Sequence, residues 1–145
     1  MNTTKEIFHP QTTDEIAEGF SVFQELRIKL KDRQAFVDQV QRQMKEGYIF
    51  CYLLEENEAV ACMGYRIFET FGWGKLLYID DLITREKSRK RGFAKVLLDY
   101  AIEQARQENC AEVHLDSGHH RHDAHRFYLN QGFTLHCHHF SLVLK

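Results

Sequence analysis

Two neighbouring stretches of the sequence concentrate side chains that can do chemistry. Asp80 and Asp81 interrupt the apolar run KLLYIDDLIT at residues 75–84. Carboxylates are costly in a strand apolar enough for the centre of a sheet, so this conflict indicates a functional position. The following run, residues 85–91, carries five basic residues against one acid. The sequence therefore predicts a carboxylate site directly before a loop that can bind an anion.

The elements around the basic run suit a diphosphate. Apolar residues with helical spacing follow it from residue 94 to 105, and residues 111–116 resemble a strand. A loop that opens a helix presents free backbone N–H groups, and Gly92 with the small Ala94 allows phosphate oxygens to approach. The run lacks the G-K-[ST] of a Walker A loop and the G-x-G-x-x-G of a dinucleotide fingerprint. The alternative interpretation is a solvated basic loop with a turn glycine.

The rest of the chain predicts a mixed α/β fold in a single domain of residues 1–145. Thr12 and Glu15 form a capping-box pattern at the start of one helix, and a second helix follows Asp32. Residues 48–54 and 59–70 predict a hairpin, and residues 75–84 a third strand. A short strand at 6–9, a helix at 123–130 and a last strand at 133–144 complete the prediction. About four helices would cover a mixed, mostly antiparallel sheet.

Composition excludes several classes of protein. Nineteen Lys and Arg against 21 Asp and Glu give a net charge of -2, so nucleic acid and membrane surfaces are not expected partners. The four cysteines form no C-x-x-C pair, and the amino terminus lacks a signal-peptide pattern. We therefore expect a cytoplasmic protein.

Three motifs carry a resemblance to a known family. The segment RKRGFA, residues 89–94, resembles the R/Q-x-x-G-x-G/A motif of GNAT acetyltransferases, with Ala94 at the last glycine position. YIDDLIT is similar to the central strand of that family, and AHRFYLNQGF to its late A-x-x-F-Y-x-x-x-G-F segment. The resemblance covers about residues 48–144 and implies a sheet splayed into a V-shaped cleft that holds acetyl-CoA. The implied pyrophosphate contacts are Arg89, Lys90, Arg91, Gly92, Phe93 and Ala94, and the implied pantetheine contacts are the backbone groups of Leu82, Ile83 and Thr84.

The resemblance also implies catalytic roles. An alkylamine has a pKa of about 10.4, so it must lose a proton before it attacks a thioester. Polyamine acetyltransferases of the superfamily use the first acid of this strand to hold a water that removes the proton, which implies Asp80 as the base and Asp81 as its backup. Adjacent strand positions point to opposite faces, so only one of the pair is expected to face the acetyl group. Tyr128 stands where the family places the hydroxyl that protonates the CoA thiolate.

Alternatives remain for these residues. One aspartate could hydrogen-bond near a bulge while the other attracts a cationic substrate, and the Tyr128 ring could simply pack in the core. Arg121 replaces an asparagine that contacts CoA in many family members, which makes it a weak binding candidate. The histidines near residue 120 show no zinc spacing, so no metal is expected, and one of them could relay a proton or contact substrate. The aromatic side chains at residues 65–73 could stack on substrate, although core packing is expected for at least half of them.

Three functions compete. The first is acetyl transfer to a small amine or polyamine, which the acidic pair would attract. The second is acetylation of a protein amino terminus or lysine, so the acceptor is a small molecule or a peptide. The third is a non-catalytic acyl-CoA sensor. An unpaired last strand at residues 133–144 makes a homodimer a further alternative.

Overall fold

The computed structural model describes residues 6–145, in which five strands form one sheet in the order β1-β2-β3-β4-β5. The first four strands pair antiparallel. A helical crossover, the usual connection of parallel strands, joins β4 to β5, so the sheet is mixed. The strands are β1 Ile7–Phe8, β2 Ile49–Glu55, β3 Glu58–Thr70, β4 Gly74–Thr84 and β5 Glu112–Leu115. The helices are α1 Thr13–Ala17, α2 Phe20–Leu26, α3 Arg33–Lys45, α4 Phe93–Gln107 and α5 His122–Asn130, with a 3₁₀ turn at Glu86–Ser88. The predicted mixed α/β fold is confirmed.

The described residues fall into two compact units, 6–114 and 115–145. The first unit contains β1 to β4, α1 to α4 and most of β5, and the second contains α5. Within the described part of the chain, no helix combines the length and the apolar character that crossing a membrane demands.

The first predicted helix begins where the sequence indicates, but the structure divides it into two. Thr12 and Glu15 form the expected capping box, in which each side chain accepts the other's backbone N–H. The helix is then interrupted at Gly19, so α1 and α2 replace one longer helix. Glycine weakens a helix interior, and here it is required because a Cβ would lie 2.6 Å from the Phe50 ring. Close packing on the sheet therefore breaks the helical pattern.

The sheet is covered on both faces within the first unit. Helices α1 to α3 pack an aromatic cluster on one face, where Phe23, Phe36 and Phe50 meet at ring-centroid distances of 5.2 to 6.2 Å. Helix α4 buries Leu97, Leu98 and Ala101. The hairpin turn between β2 and β3 is a two-residue turn with positive φ at Glu56 and Asn57, as its polar sequence predicts.

The predicted last strand is not formed. After α5 ends, Gly132 takes a φ of +93°, and residues 133–145 have no regular secondary structure. A strand needs backbone partners along its length, and this segment is not one of the five strands of the sheet; its Phe133 N–H bonds back to the Tyr128 carbonyl at 3.1 Å, at the end of α5. Five of its apolar side chains are 85% to 91% exposed, namely Leu135, Phe140, Leu142, Val143 and Leu144.

Candidate active site

A β-bulge lies at the acidic pair. Tyr65 pairs with Ile79 and Gly64 pairs with Asp81, so Asp80 is an extra residue with no partner on β3. A bulge interrupts the alternation of side chains along a strand. Tyr78 pairs with Arg66, and Arg66 lies two residues from Gly64, the partner of Asp81. Tyr78 and Asp81 therefore lie on the same face of β4. The expectation that adjacent aspartates point to opposite faces is wrong here, because the contacts below place both carboxylates on this same face.

The Asp80 carboxylate is held by one arginine. Arg66 donates from Nε to one oxygen and from Nη2 to the other, each at 2.9 Å. The guanidinium carbon of Arg66 also lies 5.1 Å from the ring centre of Phe68 and 5.5 Å from that of Tyr78. This bidentate, ring-supported pair fixes the carboxylate while leaving it 22% exposed.

Asp81 is bound by a different set of side chains. Arg27, at the end of α2, donates to Oδ1 from Nη2 at 2.7 Å and from Nε at 3.1 Å. The Tyr48 hydroxyl donates to Oδ2 at 2.9 Å, and burial, followed by the charge of Asp81, raises the pKa of Tyr48 well above its ordinary value. Three donors bind the Asp81 carboxylate, and its side chain is only 13% exposed, so it is the more buried of the two aspartates. Asp80 is accordingly the more accessible of the two.

Gly64 makes room for the Tyr48 hydroxyl. A Cβ at this position would lie 1.6 Å from that oxygen, so we expect Gly64→Ala to displace Tyr48 and destabilise the fold by about 3 kcal/mol. Urea unfolding of wild type and variant measures the change. Gly72→Ala is the matched control, because its Cβ would meet no atom within 4 Å, and its expected effect is within about 0.5 kcal/mol. Equal stabilities for the two variants would contradict the packing described here.

The loop before α4 presents the uncapped end of a 15-residue helix. Gly92 occupies the N-cap position with a φ of +82° and provides no side-chain bond, and Lys90 also has a positive φ of 64°. Gly92 therefore offers no side-chain acceptor to the backbone N–H groups of the first helical turn. Such a helix end attracts anions.

The basic side chains of the loop are not all free for an anion. Arg91 donates to both carboxylate oxygens of Glu55 at 2.7 and 2.6 Å, and its guanidinium lies 4.9 Å from the Phe93 ring centre. Arg89 donates to the Thr84 carbonyl at 3.4 Å and remains exposed, as does Lys90. Arg91 thus fastens the loop to the end of β2, while Arg89 and Lys90 are the exposed cations beside Gly92.

Beyond the bulge, β3 is the only strand that pairs with β4 among residues 6–145. The Arg85 N–H donates to the Val60 carbonyl, so alternation directs the backbone groups of Ile83 toward β3 and those of Leu82 and Thr84 away from it. Strand β5 begins where the Ala111 N–H donates to the Lys75 carbonyl, and four residues cannot extend past the bulge. Among the described residues, the Thr84 Oγ1 is also buried without a hydrogen-bond partner. Of the three predicted pantetheine contacts, Ile83 therefore has its backbone groups committed to the sheet.

Within the second unit, Tyr128 lies on α5 with its ring 5.8 Å from that of Phe133. Burial raises the pKa of Tyr128 above its ordinary value, and the positive charge of Arg121 opposes this in part. Tyr128 therefore keeps its proton at neutral pH. His125 contacts the Gly118 carbonyl through Nε2 at 2.8 Å. In residues 6–145 no three His, Cys, Asp or Glu side chains come together as metal ligands would.

Sequence reasoning missed four residues of the site, because each is defined by a contact across the fold. Arg27, Tyr48 and Arg66 hold the aspartates, and Glu55 holds Arg91. Only the bulge had a signal in the sequence, because two adjacent acids in an apolar strand indicate a departure from regular pairing.

Comparisons with known proteins identify the family of the chain. The sequence model of the acetyltransferase (GNAT) family matches residues 11–133. An uncharacterized N-acetyltransferase of Bacillus subtilis (strain 168), YhdJ, is 36% identical over 124 residues, which cover 84% of this chain and 87% of YhdJ.

Solved structures share the fold at low identity. An acetyltransferase of Trypanosoma brucei has a TM-score of 0.81 and 19% identity, covering 96% of this chain and 99% of that one. The glucosamine-6-phosphate N-acetyltransferase of Arabidopsis thaliana has a TM-score of 0.79 and 17% identity, covering 98% and 99%. The family match, the N-acetyltransferase relative and the shared fold lead to one conclusion: the chain belongs to the acetyltransferase (GNAT) family and is an acyltransferase.

Proposed function

We propose that this enzyme transfers the acetyl group of acetyl-CoA to a primary amine, acting in the cytoplasm without a metal ion. The observation that supports this best is the N-terminus of the 15-residue helix α4, where Gly92 takes a positive φ and provides no side-chain cap, directly after the end of β4 in the chain. A helix N-terminus binds anions such as a pyrophosphate, and backbone groups that point away from the sheet can pair with a pantetheine amide. We extend the proposal to one catalytic domain over residues 1–145.

In this proposal the pyrophosphate accepts hydrogen bonds from the backbone of Gly92, Phe93 and Ala94, with Arg89 and Lys90 as the charged contacts. Arg91 acts through its ion pair with Glu55, which shapes the loop. The pantetheine arm pairs with backbone groups of Leu82 and Thr84, and Arg121 is a weaker candidate for a phosphate contact.

The proposed reaction is a direct attack. The amine nitrogen forms a bond to the acetyl carbonyl carbon, and its proton passes through a water to Asp80, or to Asp81 if that carboxylate is the base. The C–S bond then breaks, the CoA thiolate takes a proton from the Tyr128 hydroxyl, and the second proton that the nitrogen loses as the amide forms restores that hydroxyl. Since burial keeps this hydroxyl protonated, it is suited to donate. The products are the N-acetylated amine and free CoA.

Calorimetric titration with acetyl-CoA tests the proposed binding site, and free-thiol release across a panel of amines and peptides tests turnover. Binding with thiol release is the expected result. Binding without release from any acceptor would favour an acyl-CoA sensor, and no binding would overturn the proposal.

Ala94→Asp sharpens the binding test. A carboxylate in the first turn of α4 suits the helix but repels a phosphate, so we expect acetyl-CoA affinity about 30-fold weaker with the fold retained. Ala94→Asn is the matched control, because it has the same shape without the charge and should bind several-fold more tightly than the Asp variant. Equal affinity of both variants would place the pyrophosphate elsewhere.

A further inference from the structure

The four charged groups at the bulge form an alternating chain. Arg66 binds the Asp80 carboxylate at 2.9 Å, and Arg27 Nη2 donates both to the Asp80 carbonyl at 3.2 Å and to the Asp81 carboxylate at 2.7 Å. Their formal charges sum to zero. The hypothesis that the acidic pair attracts a polyamine therefore loses its basis, because each carboxylate already has a cationic partner.

Both arginines keep donors for a further ligand. Each uses its Nε and Nη2 atoms in the contacts above, and within residues 6–145 neither Nη1 makes a hydrogen bond. The Arg27 and Arg66 side chains are 50% and 43% exposed. Asp80 contacts both guanidinium groups, so two exposed cationic donors flank the residue that we propose as the base.

Arg66 is also held in place before any ligand arrives. It lies against the rings of Phe68 and Tyr78 and forms two hydrogen bonds to one carboxylate, which restrains the planar guanidinium. A restrained arginine loses little conformational entropy when it binds an anion.

We propose that the acetyl acceptor is a small primary amine that also carries an anionic oxygen group, a carboxylate or a phosphate. The amine lies at Asp80, and the anionic group accepts hydrogen bonds from Nη1 of Arg66 and Arg27. This proposal rests on the proposed acetyltransferase function. A molecule with one positive and one negative group complements the alternating charges, whereas a diamine would bring a second ammonium against a guanidinium.

The first test compares four amines of similar size on the wild-type enzyme at saturating acetyl-CoA. Thiol release gives kcat/KM for 2-aminoethyl phosphate, β-alanine, ethanolamine and 1,3-diaminopropane. Because the anionic group would accept a charge-assisted hydrogen bond, we expect kcat/KM for the better anionic amine to exceed that for ethanolamine by at least about 10-fold. The diamine should have the lowest kcat/KM of the four. Ethanolamine or the diamine matching both anionic amines would overturn the proposal.

The second test uses Arg66→Gln and Arg27→Gln. Because Arg66 also holds Asp80, its loss lowers every rate, so the informative quantity is the ratio of kcat/KM for the anionic amine to that for ethanolamine. We expect this ratio to fall about 10-fold in each variant and to recover in part in Arg66→Lys. Arg106→Gln is the control, since Arg106 is an exposed arginine in the last turn of α4, and it should keep the wild-type ratio. An unchanged ratio in both folded Gln variants would contradict the assigned contacts.

The two proposals fail in different ways. If acetyl-CoA does not bind, the acetyltransferase proposal itself fails. If acetyl-CoA binds and thiol is released only with neutral or dicationic amines, the acetyltransferase proposal is supported and the proposed acceptor class is wrong. Absence of release with both anionic amines likewise overturns the acceptor class.

Discussion

Tyr128→Phe is expected to lower kcat by about 1,000-fold, because the variant cannot protonate the departing thiolate. Acetyl-CoA affinity should stay within about 3-fold of wild type, since only one hydroxyl is removed from a partly buried ring. Burial raises the pKa of Tyr128, so in the wild-type enzyme the hydroxyl remains a proton donor through neutral and mildly alkaline pH. Steady-state thiol release, with calorimetry on the same samples, gives both quantities.

Tyr52→Phe is the matched control for this variant. The Tyr52 ring is buried, and its hydroxyl donates to the Glu15 carbonyl at 2.9 Å. Its removal should cost about 1 kcal/mol of stability without a comparable loss of rate. If Tyr128→Phe retained more than a third of the wild-type kcat, another group would have to protonate the thiolate.

Asp80→Asn is expected to lower kcat/KM by about 100-fold at pH 7, because the proton of the ammonium form then has no base to accept it. The side chain keeps its shape, and the amide oxygen can still accept from Arg66. Without the base, only the free-amine fraction of the acceptor reacts. The variant rate should therefore rise about tenfold per pH unit up to the pKa of the acceptor, near 10 for an alkylamine.

Asp81→Asn separates the two candidate bases. Tyr48 and Arg27 hold the Asp81 carboxylate, so its change should reduce stability more and rate less than the change at Asp80. pH–rate profiles of both variants, with urea unfolding, distinguish the roles. A steep alkaline recovery in Asp81→Asn and not in Asp80→Asn would assign the base to Asp81.

Local sequence patterns predicted most of the elements. The capping box at Thr12, the polar turn at Glu56 and Asn57, and the glycine before α4 each specify their structure through neighbours a few residues away. The apolar repeat from Ala94 to Ala105 likewise predicted the helix that packs on the sheet. These features depend on the chain within one turn or one helix, so the sequence contains the information directly.

The site depended on contacts between distant segments. Arg27 is 54 residues from Asp81, and Arg66 is 14 residues from Asp80. Which arginine meets which aspartate depends on the register of β3 against β4, and period-two alternation cannot reveal an extra residue. The strand predicted at residues 133–144 is wrong because of its local pattern. The alternating pattern is typical of a strand, but a pattern alone does not supply a neighbouring strand to pair with.

The bulge consists of one extra residue in β4. If residue 80 is left out of the count, Ile79 opposite Tyr65 and Asp81 opposite Gly64 become consecutive pairs of a regular ladder. One extra residue thus adds the second acid and leaves the register of both flanking segments unchanged. Regular alternation would separate two acids on one face by two residues, about 7 Å along the strand. The extra residue instead brings Asp80 and Asp81 to adjacent positions on one face of the strand.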